Sequence, residues 1–150
     1  MRYQQLPFSC GAAAVTNAIR CFGKRVPERV VRARAGTCFE LGTQDEGMIA
    51  ALATFGLKGT AFDEKNRGLA MNILVSHAIE GDPVILCVQN LQHWVTIIGM
   101  IGDRFILVDP ANTVENKKEN GIHVLSQKTL SKIWQSKNGS FSGIVVRKLS

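Results

Sequence analysis

The sequence predicts an α+β fold, with N-terminal helices packed on a C-terminal antiparallel β-sheet. Residues 11–22 read GAAAVTNAIRCF, small and apolar at helical spacing. Residues 83–88, PVILCV, are continuously apolar, as in a strand covered on both faces. Two further apolar runs flank Gly102–Asp103, the signature of a hairpin with a two-residue turn. Helices first and strands afterwards is segregation, not βαβ alternation.

The elements follow in order. Met1 to Ser9 is an extended lead-in, and Pro7 keeps the chain out of helix just before Cys10. In the first helix Ala12, Val15, Ala18, Ile19 and Phe22 lie near one face, with Ser9 as expected N-cap and Gly23 as stop. A second helix runs from about Pro27 to Ala35 and ends at Gly36. Thr43 is expected to cap a third, through Met48, Ile49 and Leu52 to Gly56. Gly59 to Phe62 reads as a short strand and Asn66 to Ile79 as a fourth helix, closed by Gly81. After residues 83–88 come strands Trp94 to Ile101 and Arg104 to Val108, then a polar loop from Ala111 to Gly121. Ile122 to Leu125 is a strand, Ser126 caps a short helix through Leu130 and Trp134, and Phe141 to Leu149 is the last strand. No repeat or linker interrupts the chain, so residues 1–150 read as one domain.

Composition narrows the function classes. A chain of 150 residues buries roughly 68–70% of its unfolded surface, enough for a core without disulfides or metal. The net charge is +6, and Arg25, Arg29, Arg32 and Arg34 would form a broad basic face on a helix. That face is either solvated or a dock for an acidic partner. Aromatic residues are only 7% and no nucleic-acid motif is present, so no nucleic-acid partner is expected. No apolar run approaches the ~18 residues of a membrane span, and no signal peptide opens the chain. The four cysteines form no C-x-x-C pair, which argues against a zinc knuckle or redox motif, and no cofactor or metal is expected. Free thiols suit a reducing, cytoplasmic setting.

Cys10 stands at the start of the first helix, where orphan N–H groups and the dipole favour an anion. The thiolate is the nucleophilic form, so this placement suits catalysis, and Gly11 and Ala12 leave room for a substrate. Cys21 and Cys87 read as inert core; Cys38 falls in a loop, TCFELG. Among the histidines, His77 lies on a helix near the surface and His123 in a short strand beside the polar loop. His93 opens one hairpin strand and Asp109 closes the next, so an imidazole and a carboxylate stand near each other across the hairpin. His93 lies nine residues before Gly102 and Asp109 six after Asp103, so a bulge or twist must bring them together. Acyl transfer also needs oxyanion donors. The Cys10 N–H is one; Gln4 and Gln5, just upstream, each offer an amide for the other.

QQLPFSCGAAAVTNAIRCFG followed by HWVTIIGMIGDRFILVDPA resembles the bacteriocin-processing peptidases, papain-like domains that cut double-glycine leader peptides. The segments GTQDEGMIAALATFGLKGTAF and DPVILCVQ resemble that family's connecting elements. The resemblance implies Cys10 as nucleophile, His93 as base, Asp109 as its partner and Gln4, six residues upstream of Cys10, as oxyanion donor, with Gln5 as fallback. It implies a cysteine peptidase acting on a peptide or protein substrate through a thioester. The wider clan also holds acyl transferases and deamidases with the same thiol chemistry, and a binding module could retain the fold. The sequence has no G-x-x-x-x-G-K-[ST] motif, so any exporter partner is expected to be encoded separately.

Overall fold

The computed structural model describes residues 3–149. Helices α1 (Cys10–Arg20), α2 (Glu28–Ala35) and α3 (Asp45–Ala53) come first. They are followed by β1 (Leu57–Glu64), α4 (Arg67–Glu80), β2 (Val84–Val88), β3 (His93–Ile101) and β4 (Arg104–Val108). The chain then forms α5 (Val114–Lys118), β5 (Ile122–Leu125), α6 (Gln127–Trp134) and β6 (Phe141–Lys148). The strands make one sheet in the order β1-β6-β2-β3-β4-β5, with every pairing antiparallel. The α+β expectation therefore holds.

The sheet is sandwiched. One core joins Val15, Ile19, Val31, Met48 and Leu52 from the first three helices to Ile85, Cys87 and Trp94 on one sheet face. The other joins Leu74 of α4 and Leu130 and Trp134 of α6 to Val84, Leu86 and Val88 on the opposite face. Successive residues of β2 thus serve alternate cores, and all five are buried, as the unbroken apolar run of residues 83–88 requires.

Several local expectations need correction. Ser9 occupies the N-cap position, but its hydroxyl accepts from Leu6 N–H and approaches Leu6 O and Glu28 Oε1. Gln44, not Thr43, precedes α3, and Thr43 Oγ1 bonds Thr37 Oγ1 at 2.8 Å. In both cases a partner elsewhere in the fold outcompetes the local cap. Cys21 is exposed, because α1 ends at Arg20. The polar loop contains α5, whose sequence VENKK offers no apolar period; Thr113 caps it by accepting from Asn116 N–H. The first strand is longer than residues 59–62 and pairs along its length with β6. The basic face is half consumed: Arg32 pairs with Glu28 and Gln5, and Arg34 lies over the Phe55 ring.

Candidate active site

Cys10 is the first residue of α1 and half-buried. Thr96 Oγ1 donates to Ala14 O at 3.0 Å and ties α1 to β3, the strand that His93 opens. Gly11 is required by packing. A β-carbon there would come within 2.7 Å of Thr43 Cβ and 3.1 Å of Trp94 Cδ1. The glycine thus lets the helix start close against the loop before α3 and against β3, rather than opening space for a substrate.

The hairpin register brings the aspartate to the histidine. Thr96 pairs with Val108 and Ile97 with Leu107, but nearer the turn Gly99 pairs with Ile106, so one extra residue bulges from β3. A slip of one residue changes the face to which a side chain points. Without the bulge Asp109 would oppose Thr96. With it, Asp109 follows Val108 to a place opposite Val95, two residues from His93 and on its face. A diagonal offset of this kind is bridged by longer side chains.

His93 Nε2–H donates to Asp109 Oδ1 at 2.7 Å. The same oxygen accepts from Ala111 N–H at 2.9 Å, which fixes the carboxylate over the Asp-Pro-Ala turn. With Nε2 committed to Asp109, Nδ1 is the ring nitrogen left for the thiol, and His93 and Cys10 lie close enough to shift each other's ionisation. Burial disfavours every charge here, yet the contacts outweigh it. Burial raises the Cys10 thiol, but the His93 bond, the backbone N–H of Trp94 and the imidazolium charge bring it below its usual value. Burial lowers His93, but Asp109 and Cys10 raise it to about 9. Burial raises Asp109, while His93 and the Ala111 N–H pull it below the ordinary carboxylate range. These contacts bias Cys10 toward thiolate and His93 toward imidazolium, with the Asp109 carboxylate behind the ring. The other cysteines lack this: the Cys21 thiol is raised, not lowered, and burial pushes Cys87 to about 12.

Gln4 is stitched to the same loop. Its backbone N–H donates to Pro110 O at 2.8 Å, and it lines a cavity with His93. Its Nε2 donates to Leu6 O at 2.9 Å and to Pro7 O at 3.2 Å. Gln5 also borders the cavity, but its Oε1 is held by Arg32 Nη1 at 3.0 Å and its N–H by Glu28 Oε1 at 3.0 Å. Glu28 is fully buried and anchors the lead-in that carries both glutamines.

Sequence reasoning missed Asn116, which is buried and saturated. Its Nδ2 donates to Asp109 O at 2.8 Å and to Ala111 O at 2.7 Å. Its Oδ1 accepts from His123 Nε2–H at 2.7 Å. His123, expected outside the site, is thus linked to the backbone that carries Asp109. These bonds join residues far apart on a polar loop, so no periodicity announces them. Away from this site, His77, Glu80 and Asp82 lie within 4.8 Å of one another. Arg147 pairs with both acids and His77 Nδ1 with Asp82, so these groups already have partners within the protein.

A helix-terminal thiol held against an imidazole on a buried sheet, in this fold, defines the class: the chain is a cysteine peptidase. It belongs to the peptidase C39 family, whose model matches residues 1–138. Among solved structures it is similar to the peptidase domain of Streptococcus ComA, a bifunctional ABC transporter involved in quorum sensing. The TM-score is 0.73 at 17% identity, over 98% of this chain and 96% of that one. It is also similar to a double glycine motif protease from an AMS/PCAT transporter in complex with its leader peptide. There the TM-score is 0.68 at 22% identity, over 96% and 86% of the two chains. A third likeness, at TM-score 0.58 and 11% identity over 93% and 97%, is to the peptidase C39-like domain of a toxin secretion ATP-binding protein from Vibrio parahaemolyticus. At these identities the structures establish the fold. No curated protein sequence matches the chain.

Proposed function

We propose that the chain cuts a peptide after a double-glycine type leader, with Cys10, His93 and Asp109 as its triad and a thioester acyl-enzyme as intermediate. The observation that carries this reading is the mutual contact of Cys10 and His93, which lowers the thiol and raises the imidazole while Asp109 holds Nε2 at 2.7 Å. The Cys10 thiolate attacks the scissile carbonyl. The oxyanion is met by the Cys10 N–H and by Gln4 Nε2, which gives up its longer bond to Pro7 O to do so. His93 passes its proton to the departing amine, the C–N bond breaks, and a thioester remains on Cys10. Water, deprotonated by His93, then attacks the thioester, releases the acyl fragment as a carboxylic acid and restores the thiol. Asp109 orients the ring and stabilises its cationic form throughout.

The substrate class is supported by family membership and by the likeness to a protease held with its leader peptide. Among the described residues no helix is long and apolar enough to cross a membrane. A cytoplasmic setting would keep the four free thiols reduced. The test is to incubate the protein with a synthetic peptide containing an internal Gly-Gly and sequence the fragments. Cleavage after Gly-Gly that vanishes in Cys10→Ser supports the reading; an intact peptide, or cleavage that survives Cys10→Ser, overturns it.

A further inference from the structure

Two clefts meet at the reactive pair, with Pro7 in both walls. One, of about 490 Å³, contains Cys10 with Leu41, Thr43, Leu91 and Trp94, but not His93. The other, of about 550 Å³, contains His93 with Gln4, Gln89, Ala111, Asn112 and Thr113, but not Cys10. Each is within the ~300–1,000 Å³ of ligand sites. The proposed chemistry orders them. The acyl fragment stays on sulfur, whereas the leaving amine takes its proton from the imidazole. Residues after the scissile bond therefore run through the cleft that holds His93.

That cleft has a built wall. Asn112 Nδ2 reaches Gln4 O at 3.5 Å, so the lead-in and the loop after β4 form one rim. Opposite, Gln89, Asn90 and Leu91 have φ of 52°, 56° and 66°, three successive left-handed residues of which none is glycine. Such conformations are costly for side-chain-bearing residues and persist only where their surroundings impose them. Here Gln89 N–H donates to Ile133 O at 3.0 Å, Gln92 N–H to Val88 O at 3.1 Å, and Asn90 Oδ1 accepts from Lys137 N–H at 3.0 Å. The strained turn sends Gln89 to one cleft and Leu91 to the other. Among the described residues lining the His93 cleft, His93 alone is ionisable.

We propose that this cleft binds the residues immediately after the scissile bond and selects uncharged polar side chains, with Gln89 and Asn112 as the specificity-determining amides. The proposal rests on the peptidase reading. An amide offers both donor and acceptor to a hydroxyl or amide of the substrate. It offers no net charge to offset a desolvated ammonium or carboxylate, and an apolar side chain would leave it unpaired.

The test is a panel of Gly-Gly peptides with Ser, Asn, Leu, Lys or Glu directly after the cut, assayed by kcat/KM on the intact chain. Ser and Asn peptides should exceed the other three by about tenfold, the scale of discrimination by a few pocket contacts. Gln89→Glu, and separately Asn112→Asp, should raise the Lys peptide relative to Asn and depress the Glu peptide. Iodoacetamide alkylation of Cys10 checks the thiol in each variant. A wild-type profile flat within about twofold, or two variants whose profiles superpose on the wild type, overturns the site assignment. Failure to cut any peptide, with Cys10 still readily alkylated, overturns the peptidase reading and the assignment with it.

Discussion

His93 Nε2 and Asp109 Oδ1 lie 2.7 Å apart although they stand two residues out of register across the β3–β4 hairpin. The bulge between Ile97 and Gly99 puts both on one face, and the Ala111 N–H holds the shared oxygen in place. Asn fits the same turn and can offer an oxygen to both donors, so Asp109→Asn isolates the charge from the geometry. With the carboxylate charge gone, the His93 pKa should fall from about 9. The basic limb of the pH–rate profile should then move acidward by at least about one unit, equivalent to ~1.4 kcal/mol. Asp109→Ala removes geometry and charge together and should cost on the order of 10²–10⁴ in kcat/KM, the range of triad losses. An Asn variant with an unmoved basic limb would mean that Asp109 only turns the chain before Pro110.

The same shifts set a pH window for the wild type. His93 is raised, so its contribution to stability is complete below the unfolded value of 6.5 and is lost as pH climbs through about 9. Asp109 is depressed, so its contribution is present above 3.8 and is lost as pH falls through its lower folded value. Thermal melts of wild type and His93→Gln should therefore differ most near pH 6 and converge above pH ~9. A constant difference across that range would contradict the raised imidazole.

Alkylation separates reactivity from exposure. Cys21 is the exposed thiol and Cys10 only half-buried, so access alone favours Cys21. Ionisation favours Cys10, because its thiol is lowered and that of Cys21 raised. Brief iodoacetamide treatment near neutral pH, followed by peptide mapping, should label Cys10 first and Cys87 last. First labelling at Cys21 would show that the thiolate at Cys10 is not formed.

Asn116 and His123 should act on activity through position. Asn116→Ala strips partners from the carbonyls of Asp109 and Ala111. The loss should be about 1–3 kcal/mol of stability, with kcat falling more than KM rises. His123→Gln keeps a donor for Asn116 Oδ1 and should retain most activity, whereas His123→Ala should not. Equal activity of the two His123 variants would disconnect this pair from the triad.

Much of this was legible in the sequence because its signals are local. Cys10 at the opening of a small-residue helix, the unbroken run at 83–88, and His93 and Asp109 at facing ends of a Gly-Asp hairpin each rest on a few neighbouring residues. What failed depended on distant partners. Ser9 looked like a cap, yet the buried Glu28 draws its hydroxyl away. Gly11 looked like substrate clearance, yet Thr43 and Trp94 fill the space beside it. Cys21 looked like core, because helical periodicity continues to Phe22 while the helix ends at Arg20. Asn116 had no pattern at all, since its worth lies in two carbonyls and one imidazole that only folding gathers. Gly11→Ala gives this point a number: overpacking against Thr43 and Trp94 should cost about 1–3 kcal/mol in urea denaturation, and an unchanged midpoint would refute the close fit.

The central claim is that Cys10 carries an acyl group passed to it with help from His93. The direct measurement is rapid acid quench of the protein mixed with a Gly-Gly peptide, followed by mass spectrometry of the fragment containing Cys10. A thioester adduct equal in mass to the acyl portion of the peptide, appearing before free product and absent in His93→Ala, is the predicted result. Product formation with no adduct on Cys10 at any time, or an adduct of unchanged yield in His93→Ala, would contradict it.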